Sequence, residues 1–144
     1  MKHDDASYHC GKGATDAHSF AHIGLWFRWC LIAGLVSDEH TEDPELKRAL
    51  DRVRSGSLTG AEYLLQHTSG KLADNDLTEE GSRFTKHAYM RSYLSELRGL
   101  TGKPDYAVTE GEVDFAALKQ RLDALFEAWK AGSNRRPWWQ FWGR

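Results

Sequence analysis

The longest apolar run in the chain covers residues 20–36 and holds Trp26, Phe27 and Trp29 within four positions. Apolar residues would fall on both faces of a helix formed by this run, which is typical of a helix in the middle of a bundle. A membrane span needs about 20 apolar residues, and this shorter run also carries Arg28 and His22. We therefore predict a buried central helix over residues 18–35, and no membrane span.

Four further helices are predicted from polar residues that start helices and glycines that end them. The start signals are Asp43 with Pro44, Thr59 with Glu62, Asp76 or Thr78, and Thr109 with Glu112. The stop signals are residues 55–56, 69–70, 102 and 132. Apolar residues recur at helical spacing between each pair of signals.

The two ends of the chain differ from this pattern. Residues 1–17 have no apolar period and predict an irregular arm, whereas residues 133–144 form a basic and aromatic tail. The sequence therefore predicts an all-α, single-domain bundle of about five helices around the central helix, with the helical domain at residues 1–132 and the tail at residues 133–144.

Composition narrows the classes of function. Charged residues make up 28% of the chain and the net charge is −2, so there is no basic excess of the kind that nucleic-acid binding requires. The first ten residues lack the apolar segment of a signal peptide, which favours a cytoplasmic location. Cys10 and Cys30 are expected to be reduced thiols. Because no phosphate-binding or dinucleotide-binding motif is present, no cofactor is predicted.

One cluster of candidate site residues joins the arm to the central helix. His18 and His22 lie four residues apart, on one helix face. A metal site with them could be completed by a residue of the arm: Asp4, Asp5, His9 or Cys10. Asp4 and Asp5 could act as paired carboxylates with His9 as a general base, as hydrolases require. The alternative interpretation is that His22 is a buried, hydrogen-bonded histidine and His18 a solvent-facing residue of the first turn. We favour it because buried polar groups normally find partners within the protein.

The tail is a second candidate site, because Trp and Arg dominate protein-binding hot spots. Its partner-binding candidates are Arg135, Arg136, Trp138, Trp139 and Trp142. Two alternatives remain open: the tail could pack back on the bundle, or lie at a membrane surface, where Trp and cations are favoured.

Three stretches of the sequence resemble an uncharacterised bacterial family of small proteins. They are the opening K-H-D-D-A-S-Y-H, the A-H-I-G segment at residues 21–24 with the tryptophan-rich run after it, and residues 70–81. Members of that family begin K-Y-D-D-A-S-W-H, so His3 and Tyr8 depart from the pattern while Asp4, Asp5 and His9 match it. The resemblance implies that Asp4, Asp5, His9 and His22 form one constellation.

Small size, a single domain and a surplus of Trp predict a protein-binding module, most concretely an immunity-type protein that neutralises a cognate bacterial toxin. Inhibitors of basic nucleases are often strongly acidic, so a net charge of −2 requires either another kind of toxin or clustered acids. The alternative from a different class is a small metal-dependent hydrolase that uses Asp4, Asp5, His9 and His22.

Overall fold

Helix α1 (Asp16–Ile32) is the buried centre of the fold. The computed structural model describes residues 2–5, 16–104 and 108–134. Between Phe20 and Leu31 every residue except Arg28 is buried, and Trp26, Phe27 and Trp29 are 0% exposed. The predicted central helix is confirmed. It ends three residues earlier than predicted, and Gly34 after it adopts a φ of 78°, which glycine tolerates without strain.

Six further α-helices lie in the described part of the chain. They are α2 (Asp38–Thr41), α3 (Pro44–Ser55), α4 (Gly60–His67), α5 (Glu79–Ala88), α6 (Leu94–Thr101) and α7 (Phe115–Asn134). Short 3₁₀ helices occur at Asp74–Asp76 and Glu110–Glu112, and a π-helical turn at Tyr89–Tyr93 joins α5 to α6. The predicted all-α single-domain bundle is confirmed. None of the described helices has the length and apolarity needed to cross a membrane.

Most of the predicted start signals act as helix caps. The side chains of Asp43, Thr59 and Thr78 accept backbone hydrogen bonds at the first turns of α3, α4 and α5. The predicted Thr109 and Glu112 capping box was wrong. Helix α7 begins later, because Asp114 accepts a hydrogen bond from Ala117 N over 3.2 Å and supplies the cap.

Two helices also differ from the prediction. The helix predicted between Asp76 or Thr78 and the stop signal at residue 102 is divided by the π-helical turn. The last helix passes through Gly132 and continues to Asn134, since a glycine within a helix weakens the helix without having to end it. The predicted stop at Gly102 is confirmed, and this residue has the left-handed φ of 68°.

A small sheet lies beside the helices. Strand β1 (Lys2–Asp5) pairs antiparallel with β2 (Lys71–Ala73), with Asp4 opposite Leu72. The sequence pattern predicted an irregular arm here, because the polar residues of β1 show no apolar alternation. The rest of that arm, residues 6–15, and residues 135–144 of the tail lie outside the described residues, so the predicted boundary between domain and tail stays a prediction.

The aromatic residues of α1 face three different neighbours. Trp26 lies 5.6 Å from Phe84 and 4.8 Å from Tyr93, between ring centroids. Phe27 stacks on Tyr63 of α4 at 5.1 Å and 13°. Trp29 faces α7, where its Nε1 donates to Asp123 Oδ1 over 3.0 Å. These contacts explain why apolar residues encircle the whole helix.

Helices α1 and α4 touch backbone to backbone where two glycines meet. A Cβ atom on Gly60 would lie 2.0 Å from the carbonyl oxygen of Gly24, and one on Gly24 would lie 2.3 Å from Ala61 N. Neither position has room for a side chain, and the opposing atoms belong to backbone. The close crossing therefore requires glycine at both positions.

We expect Gly60→Ala to lower the free energy of unfolding by about 1–3 kcal/mol or more, because the new methyl group must push α4 away from α1. Gly132→Ala is the matched control, since nothing lies within 4 Å of a Cβ built there, and alanine in a helix is favourable by up to about 1 kcal/mol. Urea denaturation measures both. Equal stability of the two variants would show that the helices separate without cost.

Candidate functional site

The predicted Asp and His site is partly assembled by β1, which brings Asp4 to the side of α1. Asp4 Oδ2 lies 3.2 Å from His22 Nε2 and accepts a hydrogen bond from the Tyr89 hydroxyl over 2.6 Å. The side chains of His22 and Asp4 are 1% and 11% exposed. Sequence reasoning thus predicted the meeting of Asp4 and His22, and it missed Tyr89.

The π-helical turn supplies further contacts of this cluster. Tyr93 donates its hydroxyl to the carbonyl oxygen of His22, and the rings of Tyr89 and Tyr93 lie 5.2 Å apart beside Trp26. Buried polar groups are costly unless they are hydrogen-bonded. Tyr89 and Tyr93 therefore hold β1 and α1 together through polar groups that water does not reach.

Strand β1 contributes a second acid–histidine pair next to the first. His3 Nε2 lies 2.8 Å from Asp74 Oδ1, and the His3 side chain is only 3% exposed. Lys86 Nζ approaches the other oxygen of Asp74 at 3.6 Å. Burial lowers the pKa of His3, while the charge of Asp74 opposes that shift. The pair fixes the strand to the Asp74–Asp76 turn.

A third pair was missed entirely by sequence reasoning. His40 Nδ1 lies 2.6 Å from the Tyr63 hydroxyl, and His40 Nε2 lies 2.9 Å from Asp76 Oδ1. The other Asp76 oxygen accepts from Ala73 N over 2.9 Å. Of the two predicted start signals for α5, Thr78 is the cap and Asp76 is not, because the Asp76 carboxylate is taken up by His40 and Ala73. No sequence signal marked His40, which lies in the short helix α2.

The chain of hydroxyl, imidazole and carboxylate has the order of a catalytic triad, and His40 and Asp76 line a cleft of about 380 Å³. The nucleophile position is nevertheless closed. Tyr63 is 0% exposed, and burial, with the charge of Asp76, raises the pKa of its hydroxyl. The geometry fits a bridge that holds α2 and α4 to the Asp74–Asp76 turn.

Several predicted site residues lie outside the described part of the chain. They are His9, the side chains of Asp5 and His18, and the tail candidates Arg135, Arg136, Trp138, Trp139 and Trp142. Among the residues that the structure describes, no three His, Cys, Asp or Glu side chains gather where they could hold a metal ion. The predicted metal and tail sites therefore stay predictions.

A pocket that sequence reasoning did not predict opens beside α4. We call it the α4 pocket, and its volume is about 320 Å³. It is lined by Phe20, Thr59, Ala61, Glu62, Leu65, Thr109, Glu110 and Gly111. Leu65 is 43% exposed, which makes it one of the few large apolar side chains on the described surface that water reaches.

Glu110 joins the loop before α7 to the N-terminus of α4. Its two carboxylate oxygens accept hydrogen bonds from Gly60 N over 3.1 Å and from Ala61 N over 3.0 Å. A Cβ atom on Gly24 would lie 2.6 Å from Glu110 Oε2, so the missing side chain at residue 24 makes room for this carboxylate. Unpaired N–H groups at a helix start favour an anion.

The electrostatic balance at Glu110 is set by its burial. Burial raises the pKa of Glu110, although the backbone donors of Ala61 and Gly60 and the charge of Arg28 oppose the shift. The Arg28 guanidinium is itself held elsewhere, at 3.9 Å from the centre of the Phe115 ring. The hydrogen bonds to the Glu110 carboxylate and the charge of Arg28 therefore do not offset the effect of burial on its pKa.

We expect the contribution of Glu110 to stability to depend on pH. Its ordinary pKa is 4.5, and because the folded-state pKa is higher, the contribution is fully present below about pH 4.5 and is lost as the pH rises through the folded-state pKa. The free energy of unfolding of wild type, relative to that of Glu110→Gln, should therefore be higher at about pH 4 than at about pH 7. Urea denaturation at the two pH values measures it.

Glu80→Gln provides the control for that comparison, since Glu80 is an exposed glutamate on α5 and reports the effect of removing a surface carboxylate. If the free energies of unfolding of wild type and Glu110→Gln differ by the same amount from about pH 4 to about pH 7, the raised pKa of Glu110 is contradicted.

Comparison with known proteins identifies the family but no described activity. No curated protein and no solved structure matches the sequence significantly. The family model of DUF7832, a domain of unknown function, matches residues 2–108, which include the Asp4 cluster and His40 and end two residues before Glu110. The predicted membership of an uncharacterised family is confirmed. The chain belongs to the DUF7832 family.

Proposed function

We propose that this protein is a cytoplasmic protein-binding module, an immunity-type protein that neutralises a cognate bacterial toxin. The observation that carries the proposal is the α4 pocket, in which Phe20, Ala61 and the exposed Leu65 form an apolar lining. Protein interfaces concentrate their binding energy where one side chain fills such a pocket. At about 320 Å³, the pocket has the size that a single large side chain of a partner needs.

The state of the candidate catalytic groups also supports a binding function. The candidate catalytic groups lie in buried contacts. Asp4 contacts Tyr89 and His22, and His40 contacts Tyr63. A general base must reach the proton that it removes from a substrate, and these groups are turned to protein partners instead. Their arrangement stabilises the scaffold that presents the α4 pocket.

We expect this protein to restore growth when it is co-expressed with a growth-arresting toxin encoded by the neighbouring gene. Leu65→Lys should abolish that protection, because it replaces part of the apolar lining of the pocket with a charged side chain. Colony counts on induction of the toxin measure the effect.

Met90→Lys is the matched control, because Met90 is 68% exposed and does not line the pocket. Its protection should equal that of wild type, and circular dichroism should show both variants folded. Equal protection by Leu65→Lys would remove the pocket from the binding surface. A wild-type protein that gives no protection would contradict the immunity role.

A small metal-dependent hydrolase using Asp4, Asp5, His9 and His22 is the second candidate. The observation that favours it is the 3.2 Å approach of Asp4 to His22, since a carboxylate next to an imidazole is a common arrangement around zinc. In this proposal the remaining ligands come from the N-terminal arm. A bound metal would stabilise the fold, because the unfolded chain has no preformed site.

If the hydrolase proposal holds, zinc or nickel should raise the melting temperature of the protein. A ligand at 100 times its dissociation constant stabilises the fold by about 2.7 kcal/mol. Asp4→Asn should lose the effect, and His87→Asn, at an exposed histidine on α5, should keep it. A melting temperature that neither metal changes would exclude this candidate.

A further inference from the structure

We propose that the α4 pocket receives a cationic side chain with an apolar stem, a lysine or arginine of the protein partner. This inference rests on the proposed binding function and names the chemistry of the group that the pocket accepts. It draws on three independent features of the described residues: the apolar lining, the sign of the charges around it, and the way in which Glu110 already fills the start of α4.

The apolar lining fits the stem of such a side chain. Phe20, Ala61 and Leu65 offer carbon surface, and lysine and arginine bury their methylene groups along apolar surface while their charged ends stay near polar groups. The volume of about 320 Å³ lies at the small end of the range for ligand pockets. One long side chain is therefore a better fit than an extended ligand.

The charges around the pocket favour a cation. Glu62 and Glu110 both line it, and none of the described residues that line it is a lysine, an arginine or a histidine. Glu62 is exposed and accepts a hydrogen bond from the Thr59 hydroxyl over 3.0 Å. Arg28 acts on Glu110 from outside the lining, with its guanidinium held on Phe115. An incoming ammonium or guanidinium group would supply positive charge that the lining lacks.

An anionic ligand is disfavoured by the same geometry. The N–H groups of Gly60 and Ala61, which could have bound a carboxylate, already donate to Glu110. A second anion would meet two carboxylates without a free helix start to bind it. The clustering of acids in this pocket also removes the difficulty posed by a net charge of only −2, because a binding surface depends on local charge.

The test uses three probes that share one hydrocarbon stem: n-butylammonium, n-butanol and n-butyrate, titrated into the full chain at constant ionic strength. Backbone amide shifts in two-dimensional NMR should locate the binding at Ala61, Leu65 and Gly111. Exposed charge pairs contribute up to about 1 kcal/mol, so we expect n-butylammonium to bind about two- to five-fold more tightly than n-butanol, and n-butyrate to bind most weakly.

Glu62→Gln keeps the shape of the side chain and removes its charge, so it should reduce the preference for n-butylammonium over n-butanol. Glu80→Gln, an exposed glutamate on α5 outside the lining, should leave that preference unchanged. Equal binding of the three probes, preference for n-butyrate, shifts located elsewhere, or no binding at millimolar concentrations would each overturn the inference.

The outcomes separate this inference from the immunity proposal. A cation preference in the pocket together with no protection from the toxin would keep the pocket chemistry and remove the immunity role. Protection that depends on Leu65, without any preference for n-butylammonium, would keep the docking surface and overturn the cationic partner group.

Discussion

The contact between Gly24 and Gly60 is the constraint on which the other features depend. A Cβ on Gly60 would lie 2.0 Å from the Gly24 carbonyl oxygen, so the two helix backbones meet without side chains between them. This closeness lets Phe27 stack on Tyr63 at 5.1 Å, which places the Tyr63 hydroxyl against His40. It also leaves room for the Glu110 carboxylate at the start of α4. One crossing thus positions both a buried polar bridge and the α4 pocket.

The second constraint is the polarity of the side chains that α1 buries. His22, Trp26 and Trp29 are at most 1% exposed, and each carries an N–H group that must find a partner. Their partners come from three separate segments: Asp4 of β1, Thr85 of α5 and Asp123 of α7. Moving one of these partners away would leave a buried polar group without a hydrogen bond, which is costly. These contacts therefore fix where β1, α5 and α7 lie against α1.

The sequence predicted the helices well because their signals are local. Thr59 and Thr78 cap helices through residues three positions away, and Gly102 ends α6 by its own backbone conformation. The apolar encirclement of α1 is likewise visible in one segment. The buried Asp4 and His22 pair was predicted from a family resemblance together with the helix position of His22.

What the sequence did not predict depends on contacts between distant segments. The partners of His40 are Tyr63 and Asp76, which lie 23 and 36 positions away, and no periodicity relates them. Asp76 was one of two predicted start signals for α5, and Glu110 lies inside the predicted Thr109 and Glu112 capping box. The carboxylates of both bind atoms of other elements. Strand β1 lacks apolar alternation and is held by paired side chains. These contacts depend on tertiary packing, which local sequence patterns do not encode.

The α4 pocket lies across the end of the family match. The match covers residues 2–108, so Phe20, Ala61 and Leu65 lie inside the family domain, whereas Glu110 and Gly111 lie just beyond the match. The pocket is therefore built jointly by the family domain and by the segment that follows it. Glu110 is held by backbone N–H groups, and such donors are present whatever side chains α4 carries. Substitutions in the segment after residue 108 can then alter the charge of the pocket while the Gly24–Gly60 crossing and the aromatic core stay unchanged. Under the proposed binding function, such substitutions would change which partner groups the pocket accepts without changing the scaffold.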